Sequence, residues 1–484
     1  MFLRVTRQKL ASGKTIAHYQ LAESVWDREK KQSRVNILYN FGRADDARCV
    51  EELRKLARSI IRLTSPDDIP ADHPDWTVVD ATEYGGIHVL EQLWSKLGID
   101  TIIRKQAEPL KLAFDLERAV FAMVVNRVLA PASKLYCFEQ WLREDVYIEG
   151  VSSLSLHHLY RAMDVLLAHK DAIEEKIYFQ VTDLLNLDAG LIFYDTTSLH
   201  FETDEEEAGL RKRGHSKNGR SDAPQIVVGM AVTRDGLPVR HWIFPGNTVD
   251  VTTVKQVRED LRGWRLGRCM FVGDAGMVSA ENLRSLALGG GRYITSMPAR
   301  RGGEVAREVL TRPGRYHTVA DNMRVKEVIV GDGERRRRYV LCHNPDEERR
   351  QRQHREQVIE ELEAELTSLK QGDNHSKRTC QLIAKQRYGR YLRQTKTGKL
   401  RIDRAAIREA EKLDGKFVVH SNDDTLSAED MALGYKQLMR VEQAWRTLKS
   451  SLRIRPVHHW TEHRIQAHIF ISVLSLLLVR VAER

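Results

Sequence analysis

Hydrophobic and polar residues follow three different rhythms along the chain. Residues 1 to about 45 carry the runs FLRVTR, TIAHYQLAES and RVNILYNFG, separated by SG and a charged stretch, which predict short strands. From residue 50 to 188 apolar residues recur every three or four positions, as in VLEQLWSKLGI, LERAVFAMVVNRVLA and LYRAMDVLLAHKDAIEEKIYFQVTDLL. That period predicts helices, punctuated at Pro131 and near Ser152. At Ala189 the period changes. GLIFYDTTSL is a compact β-branched and aromatic run, and QIVVGMAVT and LPVRHWIF follow, joined through the hairpin signal Asp235-Gly236. Helix-like VTTVKQVREDL, strand-like RCMFVGD, helix-like SAENLRSLAL and strand-like RYITSMP complete an alternation that predicts a mixed α/β sheet.

Beyond residue 299 the runs RYHTV, MRVKEVIVG and RRRYVLCHN predict further strands. A long polar helix follows, with Val358, Ile359, Leu362, Leu366 and Leu369 on one stripe. Residues 374–402 hold nine Lys or Arg and no Asp or Glu, interleaved with Tyr388 and Tyr391. That composition suits either a nucleic-acid backbone with base stacking or a solvated pair of helices. GKFVVHSN resumes the α/β pattern, and helices over 427–451 and 462–482 close the chain.

Composition narrows the classes. Of 484 residues, 42% are hydrophobic and 30% charged, which excludes collagenous, disulfide-scaffold and disordered chains. Lys and Arg number 77 against 67 Asp and Glu, a net charge of +10, so a polyanion is the first partner to expect. The five cysteines are far apart with no CxxC, which fits a reducing compartment, and the N-terminal MFLRVTRQKL has no apolar signal region. The apolar stretch 469–479 is too short for a bilayer and is broken by Ser472 and Ser475, so it predicts a core helix and no membrane partner. A cytoplasmic protein is expected.

Two of the apolar strands end in an aspartate, Asp195 and Asp274. Strand ends in an α/β sheet deliver side chains to one shared edge, where ligands bind. Carboxylates gathered there, with a third acid, suit Mg2+, a hard cation that takes oxygen ligands. Two such ions can activate water and stabilise the leaving oxygen of a phosphodiester. The third acid is Glu442. Tyr435, Glu442 and Lys449 are spaced seven apart, which returns each to nearly the same helix face, and Arg446 lies one turn after Glu442. A carboxylate flanked by cations suits metal and phosphate together. The loop with Lys212, Arg213, His215, Lys217 and Arg220 can track a DNA strand beside Asp195. The acids at 204–207 read as a solvated loop, and His458, His459, His463 and His468 as structural, since no Cys or HExxH accompanies them.

In the order Asp195, Asp274, Glu442, the chain resembles the bacterial insertion-sequence transposases, whose DDE triad sits on an RNase H-like core. YDTTSLHFE, GHSKNGRSDAPQIVVGMAVTRDGLPV, PGNTVD and FVGDAGMVSAENL carry the resemblance, with the Glu helix. One subgroup has Tyr, two residues, Arg, three residues, Glu, six residues, Lys. Tyr435, Glu442 and Lys449 match that spacing, and Leu438 stands at the Arg position, with Arg440 and Arg446 nearby. The resemblance implies an RNase H-like mixed-sheet core interrupted by a β-rich and helical insertion between Asp274 and Glu442. It implies catalysis and metal binding by Asp195, Asp274 and Glu442 with two Mg2+ ions, for which Mn2+ can substitute. It also implies nicking at terminal inverted repeats, transesterification into target DNA, and a homodimer in a synaptic complex. DNA contacts are expected from Tyr435, Arg446, Lys449, Lys217, Arg220 and His215. The expected divisions are a small β element (1–48), a helical, end-binding region (49–188), a first core segment (189–298), the insertion (299–412) and a second core segment with the Glu helix (413–484). The alternatives are a DNA nuclease on the same core without strand transfer, and a catalytically silent DNA-binding protein.

Overall fold

The computed structural model describes residues 2–9, 15–27, 32–63, 81–187, 190–203, 209–215, 220, 222–266, 269–298, 303, 305–333, 336–369, 375–395 and 399–484. The chain forms two compact units, 1–83 and 84–484. In the first, strands β1 (Phe2–Lys9), β2 (Thr15–Asp27) and β3 (Gln32–Arg43) make an antiparallel sheet in that order, and helix α1 (Ala47–Leu63) follows. The division expected at residue 48 therefore falls inside a helix. The strand element keeps α1 because buried Cys49 on that helix lies within contact distance of Gly42 at the end of β3.

The second unit opens with a helical layer of α2 (Gly85–Lys96), α3 (Ile99–Ala107), α4 (Leu116–Leu129), α5 (Lys134–Tyr136), α6 (Leu156–Ala168) and α7 (Lys170–Leu184). Asp115 caps α4 by accepting from the Arg118 amide at 3.0 Å. Residues 116–127 of α4 are all buried, so its charged residues need partners inside the protein. Glu117 accepts hydrogen bonds from Trp94, Arg104 and Arg118, each at 2.8 Å.

The rest is built on one nine-stranded sheet. Its elements in chain order are β4 (Leu191–His200), β5 (Gln225–Thr233), β6 (Pro238–Pro245), α8 (Asp250–Gly263), β7 (Met270–Gly273), α9 (Ala280–Ala287) and β8 (Arg292–Met297). Next come β9 (His317–Ala320), β10 (Met323–Val330), β11 (Arg337–His343), α10 (Pro345–Leu369), α11 (His375–Ala384) and α12 (Gln386–Gly389). The chain ends with β12 (Leu392–Gln394), β13 (Leu400–Ile402), α13 (Arg404–Glu411), β14 (Lys416–Ser421), α14 (Ala428–Lys436), α15 (Met439–Lys449) and α16 (Glu462–Ala482). The strand order is β6-β5-β4-β7-β8-β14-β11-β10-β9. Strands β4, β7 and β8 run parallel, and the other pairings are antiparallel. This is the RNase H-like mixed α/β core that was expected. The Asp235-Gly236 hairpin is present, with Gly236 at φ +79°, the left-handed region glycine tolerates.

The segment between Asp274 and Glu442 holds strands and helices, and its strands β9, β10 and β11 do not stand apart from the core. The free edge of β14 pairs with β11 from Tyr339↔His420 to His343↔Lys416, so β11, β10 and β9 extend the core sheet. The described residues from α10 to α13 lie outside that sheet, with a small core of Val358, Leu362 and Tyr391. The buried Arg355–Asp414 pair, with both bonds at 2.6 Å, ties the base of this segment.

Helix α16 joins the two layers. Phe470, Ile471, Leu474, Leu477 and Leu478 pack into the helical core with α4 and α6. Ile465, Ile469, Val473 and Leu476 pack into the sheet core with β4, β5 and α15. Ser472 and Ser475 do not interrupt it, because their hydroxyls donate to the carbonyls of His468 and Ile471 at 2.9 Å. The helix is long and apolar enough to cross a bilayer, but most of it is enclosed between these layers. A buried polar contact adds to the joint. Lys170 donates to Glu174 at 2.5 Å, and Glu174 lies 2.5 Å from His241 of β6. Burial pushes the Glu174 carboxyl up, but His241 and Lys170 outweigh it and bring it down to about 2.

Two outcomes follow for stability. Phe470→Ala, which empties a fully buried site shared by α16 and α4, should lower unfolding free energy by about 3–5 kcal/mol in urea titrations. The Glu174 contribution should be complete above pH 4.5 and fade as pH falls toward 2, because the folded carboxyl binds its proton less readily than the unfolded one. Glu174→Gln should flatten that portion of the stability–pH curve.

Candidate active site

The parallel register of β4 and β7 pairs Leu191, Ile192 and Phe193 with Met270, Phe271 and Val272. Carried two residues further, one residue past the end of β7, that register brings Asp274 level with Asp195. Side chains alternate along a strand. Phe193 and Leu199 face the core shared with α14, α15 and α16, whereas Ile192 and Tyr194 face the core beneath α8. Asp195 and Thr197 therefore share the α15 side, and Asp274 follows Met270 and Val272 onto it. Asp274 opens a short 3-10 turn, yet its side chain does not cap that turn. The carboxylate is exposed, and that of Asp195 half-buried.

The helix expected over 427–451 is two helices. α14 begins in a capping box between Ser427 and Asp430, and the chain breaks at Gln437 and Leu438. There the bonds tighten to three-residue steps, with the Leu438 amide on the Tyr435 carbonyl at 2.9 Å and the Arg440 amide on Gln437 at 2.8 Å. The continuous seven-residue rhythm thus holds from Glu442 to Lys449 within α15, but not from Tyr435 to Glu442. Leu438 explains the break's position. It is 7% exposed and packs in the sheet core, so an apolar side chain occupies the signature arginine position. Arg440 lies beside Gly236 at the tip of the β5–β6 hairpin, and Arg446 is exposed.

Both ends of the motif reach the strands that carry the aspartates. The Tyr435 hydroxyl donates to Asp274 Oδ1 at 3.0 Å. Burial and the Asp274 charge raise its pKa far above the ordinary value, a Ser296 hydrogen bond opposes them, and Glu442 adds to the rise. Glu442 therefore lies within electrostatic reach of the Asp274–Tyr435 pair. Lys449 Nζ donates to Thr197 Oγ1 at 2.5 Å, two residues beyond Asp195 on the same face. α15 thus lies over β4 with Glu442 between these anchors. Among the described residues, however, no three His, Cys, Asp or Glu side chains are close enough to form a ready metal shell. The two aspartates and the Tyr435–Lys449 frame are brought together, and the Glu442 carboxylate is near them rather than among them. The donor set is all oxygen, which fits Mg2+ better than a softer metal.

The remaining expected residues are placed differently. His215 and Arg220 are exposed in the loop between β4 and β5. Arg220 bonds Asp222 at 3.1 and 3.2 Å and lies 3.9 Å from Glu202, so some of its charge is already matched. Lys217 and the acids at 204–207 lie outside the described residues. Tyr391 is buried, while Tyr388 is half-buried, donates to Glu361 at 2.8 Å and has the Lys385 and Arg387 charges 5.7 and 5.6 Å from its ring centre. His468 is buried and bonds the Ile454 carbonyl at 3.0 Å, and His463 pairs with Asp164 at 3.3 Å. The sequence reading missed Thr197 as the seat of Lys449. It also missed Asp250, at the start of α8, which hydrogen-bonds Thr196 on the opposite face. The Thr-Thr pair directly after Asp195 was the available signal.

A transposase DDE domain matches residues 187–478. No curated protein matches the chain. Among solved structures it is similar to the piggyBac transposase in a synaptic complex with hairpin DNA, at 12% identity and a TM-score of 0.36, over 83% of this chain and 76% of that one. It is also similar to the Mos1 transposase in a paired-end complex with the left transposon end, at 14% identity and a TM-score of 0.15, over 51% of this chain and 66% of that one. The domain match spans more than half of the sequence, on the strands and helices that carry Asp195, Asp274 and Glu442, and the chain belongs to the transposase DDE domain family.

Proposed function

We propose that this protein is the transposase of a bacterial insertion sequence. It cuts DNA at the element's terminal inverted repeats and joins the freed ends to target DNA, acting as a homodimer on nucleoid DNA in the cytoplasm. The observation that carries the reading is the register that sets Asp195 beside Asp274, with Tyr435 bonded to Asp274 and Lys449 seated two residues past Asp195. Asp195, Asp274 and Glu442 would hold Mg2+, which supplies Lewis-acid activation of the attacking oxygen and stabilisation of the leaving one. The chain's own residues do the rest. Tyr435 fixes one oxygen of Asp274 and leaves the other for the metal. Lys449 lies beside the acids as a cation for the phosphate. Arg446, exposed one turn after Glu442, reaches the neighbouring backbone. A cation with phosphate would draw the Glu442 carboxylate toward the aspartates.

Asp195→Asn, Asp274→Asn and Glu442→Gln should each abolish Mg2+-dependent cleavage of end DNA while leaving its binding within about twofold, measured by gel shift beside a nicking assay. A variant that cuts at the wild-type rate removes that residue from the site. Strand transfer of pre-cut ends separates transposition from simple nuclease action, since a nuclease accumulates nicks and no joined product. Lys449→Ala should weaken end binding and reduce the slope of log affinity against log salt by about one. An unchanged slope would place Lys449 off the phosphate.

A further inference from the structure

Sheet pairing alone does not hold the two aspartates side by side. The parallel register of β4 on β7 ends at Phe193↔Val272, and β7 stops at Gly273. On its other side β4 stays paired, with Asp195 opposite Met230 of β5. Asp195 and Asp274 therefore lie past the last rung that joins their strands, where like charges push apart.

A polar network on the reverse face of the sheet bridges this gap. Side chains alternate along β4, so Tyr194 and Thr196, the chain neighbours of Asp195, point beneath α8 while Asp195 points away. The first turn of α8 grips both. The Thr196 hydroxyl donates to Asp250 Oδ1, and the Tyr194 hydroxyl donates to Thr253 Oγ1 at 2.9 Å. Thr253 in turn donates to the Asp250 carbonyl at 2.8 Å. Tyr194, Thr196 and Thr253 are all buried, so their hydroxyls depend on these partners. Gly229 of β5 makes room for the arrangement, since a Cβ there would come within 2.5 Å of the Tyr194 hydroxyl.

The same turn of α8 holds the segment of the other aspartate. Asn282 of α9 is buried and donates to two carbonyls, Val251 in α8 and Met277 in the turn that opens at Asp274, each at 2.7 Å. The Met277 amide closes that turn on the Asp274 carbonyl at 3.1 Å. Asp250 Oδ2 lies alongside, 3.7 Å from where a Cβ on Gly276 would stand. Asp250 itself is half-buried and opens α8, where a helix end favours a carboxylate. The network thus acts on Asp195 and Asp274 through the backbone, from the face opposite α15.

We infer that Asp250 is a positioning residue, which holds Thr196 while its own turn is tied through Asn282 to Met277, and so sets the separation of Asp195 and Asp274 and their affinity for a divalent cation. The inference rests on the metal-dependent reading above and deepens it. Acids already held in place need less ordering when a cation binds. The test uses the full-length chain with duplexes taken from the DNA bordering its coding region. Mn2+ uptake is read from loss of the free-ion EPR signal, and nicking is followed across a Mg2+ series. Asp250→Ala and Thr196→Val should each raise the apparent Mn2+ dissociation constant, and the Mg2+ concentration for half-maximal nicking, by about ten- to a hundredfold. Nicking at saturating Mg2+ should return to within about threefold of wild type. Thr196→Ser keeps the hydroxyl, and Asp250→Asn still accepts from Thr196 but is a poor substitute for a carboxylate on a metal, so both should hold Mn2+ within about threefold of wild type. The double variant Asp250→Ala/Thr196→Val should be no worse than either single one, because both remove the same bond. Unchanged Mn2+ affinity in Asp250→Ala and Thr196→Val, with nicking lowered equally at every Mg2+ concentration, would show a purely structural role and overturn the inference. Loss of Mn2+ in Asp250→Asn as large as in Asp250→Ala would make Asp250 a ligand and overturn it too. Where wild type takes up Mn2+ and nicks these ends, either result leaves the transposase reading standing. Wild type that neither takes up Mn2+ nor nicks them overturns both.

Discussion

The structure depends on one helix being apolar all the way round. An ordinary surface helix buries one stripe and can close one core. α16 closes two, with Phe470, Leu474 and Leu477 in the helical layer and Ile465, Ile469 and Val473 against the sheet. The hydrophobic term scales with the apolar area removed from water, so a helix enclosed on both sides contributes about twice what a surface helix of its length can. Its serines cost little, because their hydroxyls return to carbonyls one turn back. The same helix backs α15, and so fixes the height at which Glu442 and Lys449 stand above β4.

Charges in the second unit separate into two kinds. Inside, carboxylates are matched: Glu117 by Arg104, Arg118 and Trp94, Asp414 by Arg355, and Glu174 by Lys170 and His241. These pairs hold elements together across the core, and breaking one would strand a buried charge. At the strand ends the pattern reverses. Asp274 and Glu442 are exposed, and among the described residues neither belongs to an ion pair. The interior acids hold elements together, whereas these two face solvent at the strand ends.

Much of this was legible in the sequence, and the misses have physical causes. The compact runs at GLIFYDTTSL and RCMFVGD became β4 and β7, since short β-branched stretches between turn signals have few alternatives. The hairpin at Asp235-Gly236 was equally plain. Periodicity did not reveal that β9, β10 and β11 join the core sheet, because pairing partners lie far apart in sequence and local pattern carries no register between them. The break at Gln437–Leu438 was invisible for a related reason. No Gly or Pro marks it, and Leu438 satisfies the apolar period while turning into the core. The burial of Tyr391 was not legible either, because composition shows which residues are near, not which way they face.

That break has a mechanical consequence. Had 427–451 been one rod, any tilt that moved Glu442 would have moved Tyr435 by a matching amount and torn it from Asp274. Two short rods meeting at a joint separate those displacements. The first keeps Tyr435 on Asp274 while the second takes its own slant and seats Lys449 on Thr197, so one broken segment meets two neighbouring strands at once.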